Sequence, residues 1–142
     1  MTNVCFIKRF NKDKRFKNHI IFICDHATNK IPKEFSNLGL KKRNLESHIA
    51  FDIGAADLSI GLAKKLKQTC LLSNFSRLLI DPNRDLKDPS LIPSSSFGIK
   101  IPGNSNIDSK NKFCRIHKFY SPYHLKLANE IKKKKQNSKK FF

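Results

Sequence analysis

At 142 residues with 39% hydrophobic content, the chain has room for one domain and its core. No apolar run approaches the roughly 18 residues of a membrane span. The first 18 residues hold no apolar stretch long enough for a signal peptide, so no membrane association and a cytoplasmic location are expected.

The net charge of +18 is unevenly placed: residues 1–18 carry six Lys/Arg against one acid, 19–108 twelve against nine, and 109–142 eleven against one. Such ends attract polyanions without specificity. The nearly balanced middle gives no reason to expect a specific nucleic-acid partner. The cysteines Cys5, Cys24, Cys70 and Cys114 are scattered with no CxxC, which predicts free thiols rather than a disulfide scaffold or a zinc ribbon.

In chain order, the run IIFIC at 20–24 is continuously apolar and β-branched, and reads as a buried strand of a parallel sheet. The loop 25–32 follows its carboxyl end, where ligands bind in open α/β sheets. Residues 33–42 read as a short irregular or one-turn segment. Asn44 is a candidate N-cap for a helix from about 45 to 67, on which Ile49, Ile53, Ala56, Ile60 and Ala63 recur at helical spacing. Gly54 and Gly61 count against that helix. Residues 69–73 read as a second strand and 76–80 as a third, closed by the turn Asp81-Pro82-Asn83-Arg84. The Pro-, Ser-, Gly- and Asn-rich stretch 85–112 reads as a long loop, and Ser121-Pro122 opens a helix to about 135.

Chemically capable side chains cluster beside these apolar runs. His26 follows the first strand, where an imidazole either ligates a metal or is a hydrogen-bonded loop residue. Glu46, His48 and Asp52 lie near the start of the proposed helix. His48 and Asp52 are four apart and would share a face, as metal ligands, as a base and its orienter, or as a surface histidine and a carboxylate at a helix N-terminus. Arg77, Asn83 and Arg84 flank Asp81. They offer donors for a carboxylate or form a structural ion-pair set. Ser94, Ser95, Ser96, Tyr123 and His124 are weaker candidates.

Several segments, taken together, resemble the N-terminal half of an N-formylglutamate amidohydrolase. They are CDHATNKIPKEF (24–35), LGL (38–40), LESHIAFDIGAADL (45–58), SRLLIDPNR (76–84), DPSLIP (88–93), IPGN (101–104) and YSPYH (120–124). The resemblance implies an α/β three-layer sandwich with a mixed sheet, the phosphorylase/hydrolase-like fold of zinc carboxypeptidases. It divides the chain into a basic N-terminal segment (1–18), a partial amidohydrolase domain (19–135) and a basic tail (136–142).

It further implies metal-assisted cleavage of the formyl or acyl amide of a small N-acyl amino acid, with a divalent metal, most plausibly zinc. His26 and His48 would be ligands, Glu46 and Asp52 catalytic carboxylates, and Arg77, Asn83 and Arg84 the grip on the substrate carboxylate. Family members are nearly twice as long and continue into a strand bearing another metal-site histidine. The fold is therefore expected to be incomplete at the C-terminus. Residues 1–142 are expected to be inactive, or nearly so, unless a separate C-terminal fragment complements them. The competing expectation is a non-catalytic basic binding protein that keeps the fold and binds nucleic acid non-specifically.

Overall fold

The computed structural model describes residues 3–10 and 20–139. Residues 1–2, 11–19 and 140–142, which include part of the basic N-terminal segment and the end of the tail, lie outside the described residues. The fold is mixed α/β around a three-stranded sheet of order β1-β3-β2. Strand β3 (Thr69–Ser73) is central and buried along its whole length. It pairs in parallel with β2 (Ile21–Cys24) and antiparallel with β1 (Cys5–Arg9), so Leu71 lies opposite both Ile23 and Ile7.

The run TCLLS lacks alternation because both of its faces are covered. On one face Phe22, Cys24, Cys70 and Leu72 pack with Ala56, Ile60 and Ala63 of helix α2 (Ala55–Lys65). On the other, Cys5, Ile7, Ile21 and Leu71 join the larger core with Phe75, Leu78, Phe119 and Tyr123. The path β2–α2–β3 is a crossover between parallel neighbours, which a two-residue turn could not make. All four cysteines are free thiols; three are buried and Cys114 is half-buried. No helix is long and apolar enough to cross a membrane among the described residues.

Four sequence expectations are corrected. Residues 76–80 form a tight turn, not a strand: Leu79 N–H donates to the Ser76 carbonyl at 3.0 Å, and Ser76 Oγ donates to the Ala50 carbonyl at 2.8 Å. The run is apolar because Leu78, Leu79 and Ile80 fill the core. A short apolar run does not by itself distinguish a strand from another buried segment. The carbonyls of Leu78 and Leu79 accept from Asn104 and Arg115 instead of a neighbouring strand.

The expected helix 45–67 is helical only over α2, and Leu45 belongs to a separate one-turn helix before it. Helix α1 (Lys42–Leu45) has Lys41 at its N-cap and Asn44 inside it; turns then run to Gly54, the N-cap of α2 at φ 82°. Glycine adopts that left-handed conformation without steric cost. Asp52 N–H is drawn out of any helical pattern by the His26 carbonyl, at 3.0 Å.

The stretch 85–112 is not one loop. It holds a hairpin, β4 (Ser95–Ser96) with β5 (Ile99–Lys100), turned by Phe97 and Gly98, both at positive φ. It also contains the start of α3 (Ser109–Arg115), capped by Asp108 accepting from Asn111 N–H at 2.6 Å. Helix α3 continues through one π-helical turn (Ile116–Tyr120) into α4 (Ser121–Lys139). The expected helix 122–135 therefore lies inside a longer helical stretch. Pro122, which has no N–H to donate, follows directly on the turn where the α-helical bonding is already interrupted.

A candidate site of one histidine, two aspartates and two arginines

The β2 run ends at Cys24, and the chain turns there with Asp25 and His26 at the carboxyl end of a parallel strand. His26 is buried, and both of its ring nitrogens face carboxylates. Nε2 lies 2.8 Å from Asp81 Oδ1, and Nδ1 lies 3.2 Å from Asp52 Oδ2. The two carboxylates differ in setting: the Asp81 side chain is 4% exposed and the Asp52 side chain 52%.

Asp81 is held from three sides. It accepts from His26, from Asn83 N–H at 2.9 Å and from Arg77 Nη2 at 3.1 Å. Arg77 also reaches Asp52 Oδ1, at 3.4 Å, so one guanidinium ties the two carboxylates together. Among the described residues, the Arg84 side chain makes long ion-pair contacts, 3.9 Å to Asp81 and 4.0 Å to Asp88.

These surroundings shift both members of the buried pair. Burial pushes the His26 pKa down, but hydrogen bonding to Asp81, the charge of Asp81 and hydrogen bonding to Asp52 outweigh burial and the charge of Arg77, leaving it above the ordinary histidine value. Burial pushes the Asp81 pKa up, but hydrogen bonds from His26 and Asn83 N–H, with the charges of His26 and Arg77, bring it below the ordinary carboxylate value.

Of the residues singled out from sequence, the structure brings His26, Asp52 and Arg77 together, with Arg84 at their edge. The exposed Asn83 side chain stands on the same turn as Arg84; its backbone N–H binds Asp81. Glu46 and His48 stand apart in their described contacts. Glu46 is exposed and 3.6 Å from Lys42, and His48 is exposed with its ring edge-on to Phe97, centroids 4.7 Å apart. His48 and Asp52 do not share a helix face, because turns replace the helix there.

Asp81 is the residue that sequence reasoning undervalued, treating it only as a partner for its flanking arginines. Its signal was position: a carboxylate ending the buried run LLI must be buried too, and a buried carboxylate needs partners.

Zinc takes three or four protein ligands at about 2.0–2.2 Å, which puts two donors on one ion roughly 3.3 Å apart. His26 Nδ1 and Asp52 Oδ2 are spaced that way, and Asp81 on Nε2 occupies the position of an orienting carboxylate. No group of three or more His, Cys, Asp or Glu side chains among the described residues is arranged to hold a metal. The described residues therefore do not fit the ion as a complete set.

The histidine–carboxylate–arginine cluster of this mixed α/β fold lies at a parallel strand's carboxyl end. The chain belongs to the N-formylglutamate amidohydrolase family, whose model matches residues 18–142. A gene product of Agrobacterium tumefaciens, solved by crystallography, is similar to it at 31% identity and a TM-score of 0.86. The match covers 96% of this chain and 52% of that one, so the chain spans about half the length of its structural relative. No curated protein matches the chain significantly.

Proposed function

We propose that the cluster is the proton-handling and carboxylate-binding part of an amidohydrolase site for an N-formyl or N-acyl amino acid, with N-formylglutamate the leading substrate. The observation that carries this is His26 clasped between buried Asp81 and half-exposed Asp52. Both ionised carboxylates only accept, and a neutral His26 has one N–H: it goes to Nε2, toward buried Asp81 and the shorter contact, which leaves the lone pair on Nδ1 beside half-exposed Asp52.

Nδ1 is the general base in this scheme. It removes a proton from water as the water oxygen adds to the formyl carbon. It returns that proton to the amide nitrogen as the C–N bond breaks, giving formate and the free amino acid. Asp52 steadies the imidazolium between the two transfers. Arg77 offsets the charge of the two aspartates. Arg84, whose side chain makes long ion-pair contacts among the described residues, and the exposed Asn83 side chain are the donors for the amino-acid carboxylate, an anion that a guanidinium fork binds bidentately.

Calorimetric titration of the purified chain with N-formyl-L-glutamate tests this. Saturable one-to-one binding is expected. Arg84→Gln should weaken it about tenfold or more, since hydrogen bonds to charged groups contribute about 1.5–3 kcal/mol. Absence of binding at millimolar ligand would overturn the proposal, as would affinity indifferent to Arg84→Gln. If the chain instead binds single-stranded DNA in a salt-sensitive way and ignores the amino acid, the basic binding protein is the better description.

A further inference from the structure

The segment YSPYH, at the junction of the π turn and α4, makes three contacts that all reach the candidate site. Tyr120 Oη donates to the Arg84 carbonyl at 2.7 Å. His124 Nε2 lies 3.1 Å from the Pro82 carbonyl. Tyr123 Oη donates to the Asp25 carboxylate, one residue before His26. We propose that Tyr120 and His124 are positioning residues. In this role they pin the peptide groups on either side of the Asn83-Arg84 pair so that the Asn83 and Arg84 side chains are aimed before ligand arrives, while Tyr123 anchors the His26 loop to the same helix face. This rests on the proposed role of Asn83 and Arg84 as the carboxylate grip.

The geometry follows from the local sequence. Positions 120, 123 and 124 are three and four apart and share one helix face. Tyr120 closes the π turn, the irregular turn just before α4. The three rings brace each other, with centroids 4.3 Å apart for Tyr120–His124 and 5.5 Å for Tyr123–His124. Tyr123 also stands edge-on to Phe75, at 6.0 Å. Tyr123 is fully buried.

The bonds run one way. A carbonyl oxygen only accepts, so both the phenol of Tyr120 and Nε2 of His124 must carry the hydrogen. That fixes the tautomer of His124 as Nε2–H when the ring is neutral. The turn 81–84 needs such support because no sheet ladder holds it. Asn83 and Arg84 are both exposed, and the internal ties of the turn are Asn83 N–H to the Asp81 carboxylate at 2.9 Å and Arg84 N–H to the Asp81 carbonyl at 3.3 Å, the latter near the long end of the range. A binding group must be held within about 0.5 Å of its productive position to be useful.

The experiment is 15N relaxation on the ligand-free chain, comparing wild type with Tyr120→Phe, His124→Leu and His124→Gln. Glutamine keeps a side-chain N–H close to the position of Nε2. In wild type, the Asn83 and Arg84 amides should have order parameters near the rigid value of about 0.85. Tyr120→Phe and His124→Leu should drop them toward about 0.6, leaving the amides of 69–73 unchanged; His124→Gln should restore them. The proposal is overturned if Asn83 and Arg84 stay rigid in both truncations, if loosening spreads equally into β3, or if Gln behaves as Leu. Where wild type binds N-formyl-L-glutamate, the same two truncations should raise Kd about tenfold at unchanged stoichiometry. If wild type binds none, the substrate proposal fails, and the relaxation result still decides the clamp.

Discussion

Replacing Asp81 by Asn removes one charge at nearly constant volume, and the consequence can be worked out bond by bond. The carboxylate accepts charge-assisted hydrogen bonds from His26 at 2.8 Å and Arg77 at 3.1 Å, in a side chain that is 4% exposed. Each such bond contributes about 1.5–3 kcal/mol. Part of the loss is relieved, because Arg77 keeps Asp52 at 3.4 Å and His26 can release its proton. A net cost of about 2–3 kcal/mol follows, or roughly 4–12 °C in Tm at about 2–4 °C per kcal/mol for a domain near this size.

The pH dependence carries a definite sign. His26 has a raised pKa, so its contribution is complete below the ordinary value of 6.5 and is lost as pH rises through the raised one. Asp81 has a lowered pKa, so its contribution is present above the ordinary value of 3.8 and is lost as pH falls through the lowered one. The difference between wild type and Asp81→Asn should therefore be largest between those ordinary values and shrink at about pH 9. Thermal unfolding followed by circular dichroism at about pH 5.5 and pH 9 measures this. A double-mutant cycle with His26→Asn should give a coupling above about 0.5 kcal/mol. A Tm loss under about 2 °C, a pH-independent difference, or additive single effects would refute the pairing.

Three further outcomes follow from particular contacts. Gly103→Ala should destabilise by about 1–3 kcal/mol, because an added Cβ would stand 2.7 Å from Leu38 Cα and 3.1 Å from Leu38 C, backbone atoms that cannot swing away; an unchanged urea midpoint would contradict this. Phe97→Asn should stabilise by about 0.5 kcal/mol: Phe97 sits at φ 47° beside Gly98 at φ 77° and is 79% exposed, and Asn-Gly favours such a hairpin turn. A lowered Tm would mean that the ring's contact with His48 outweighs the backbone gain. Arg115→Met should cost about 3 kcal/mol or more. The buried guanidinium donates to the Leu79 carbonyl, Asn104 Oδ1 and the Gly103 carbonyl, and Met leaves all three unpaired; an equal urea midpoint would argue against that role.

What was legible in the sequence was local and strongly patterned. The runs 20–24 and 69–73 read as strands and are neighbours in the sheet, but 20–24, expected to be buried, supplies a strand at the edge of the described sheet with Ile23 exposed, and only 69–73 is buried throughout. The run 76–80 ends in a similar apolar triplet, LLI, and is a turn, since its carbonyls find Asn104 and Arg115, which are 26 and 36 residues away from their acceptors. Nothing in LLI itself shows that. Strand β1 was hidden in a segment dominated by charge, and its pairing with β3 is a long-range contact that no local pattern reveals.

At the site, the motifs pointed to His26, Asp52 and Arg77 correctly as neighbours. Glu46 and His48 were grouped with them through the resemblance and through a helix that Gly54 and the His26 carbonyl interrupt. YSPYH was singled out in the sequence, but its contacts were not legible there because its three bonds all end on loops that are 36 to 98 residues earlier in the chain.

The most direct test of the account is a pH titration of the His26 ring nitrogens by 1H–15N correlation spectroscopy, in wild type and in Asp81→Asn. An Nε2–H tautomer at high pH, a pKa above 6.5, and a downward shift when the Asp81 charge is removed are expected. An Nδ1–H tautomer, or a His26 pKa at or below 6.5 that ignores the substitution, would contradict it.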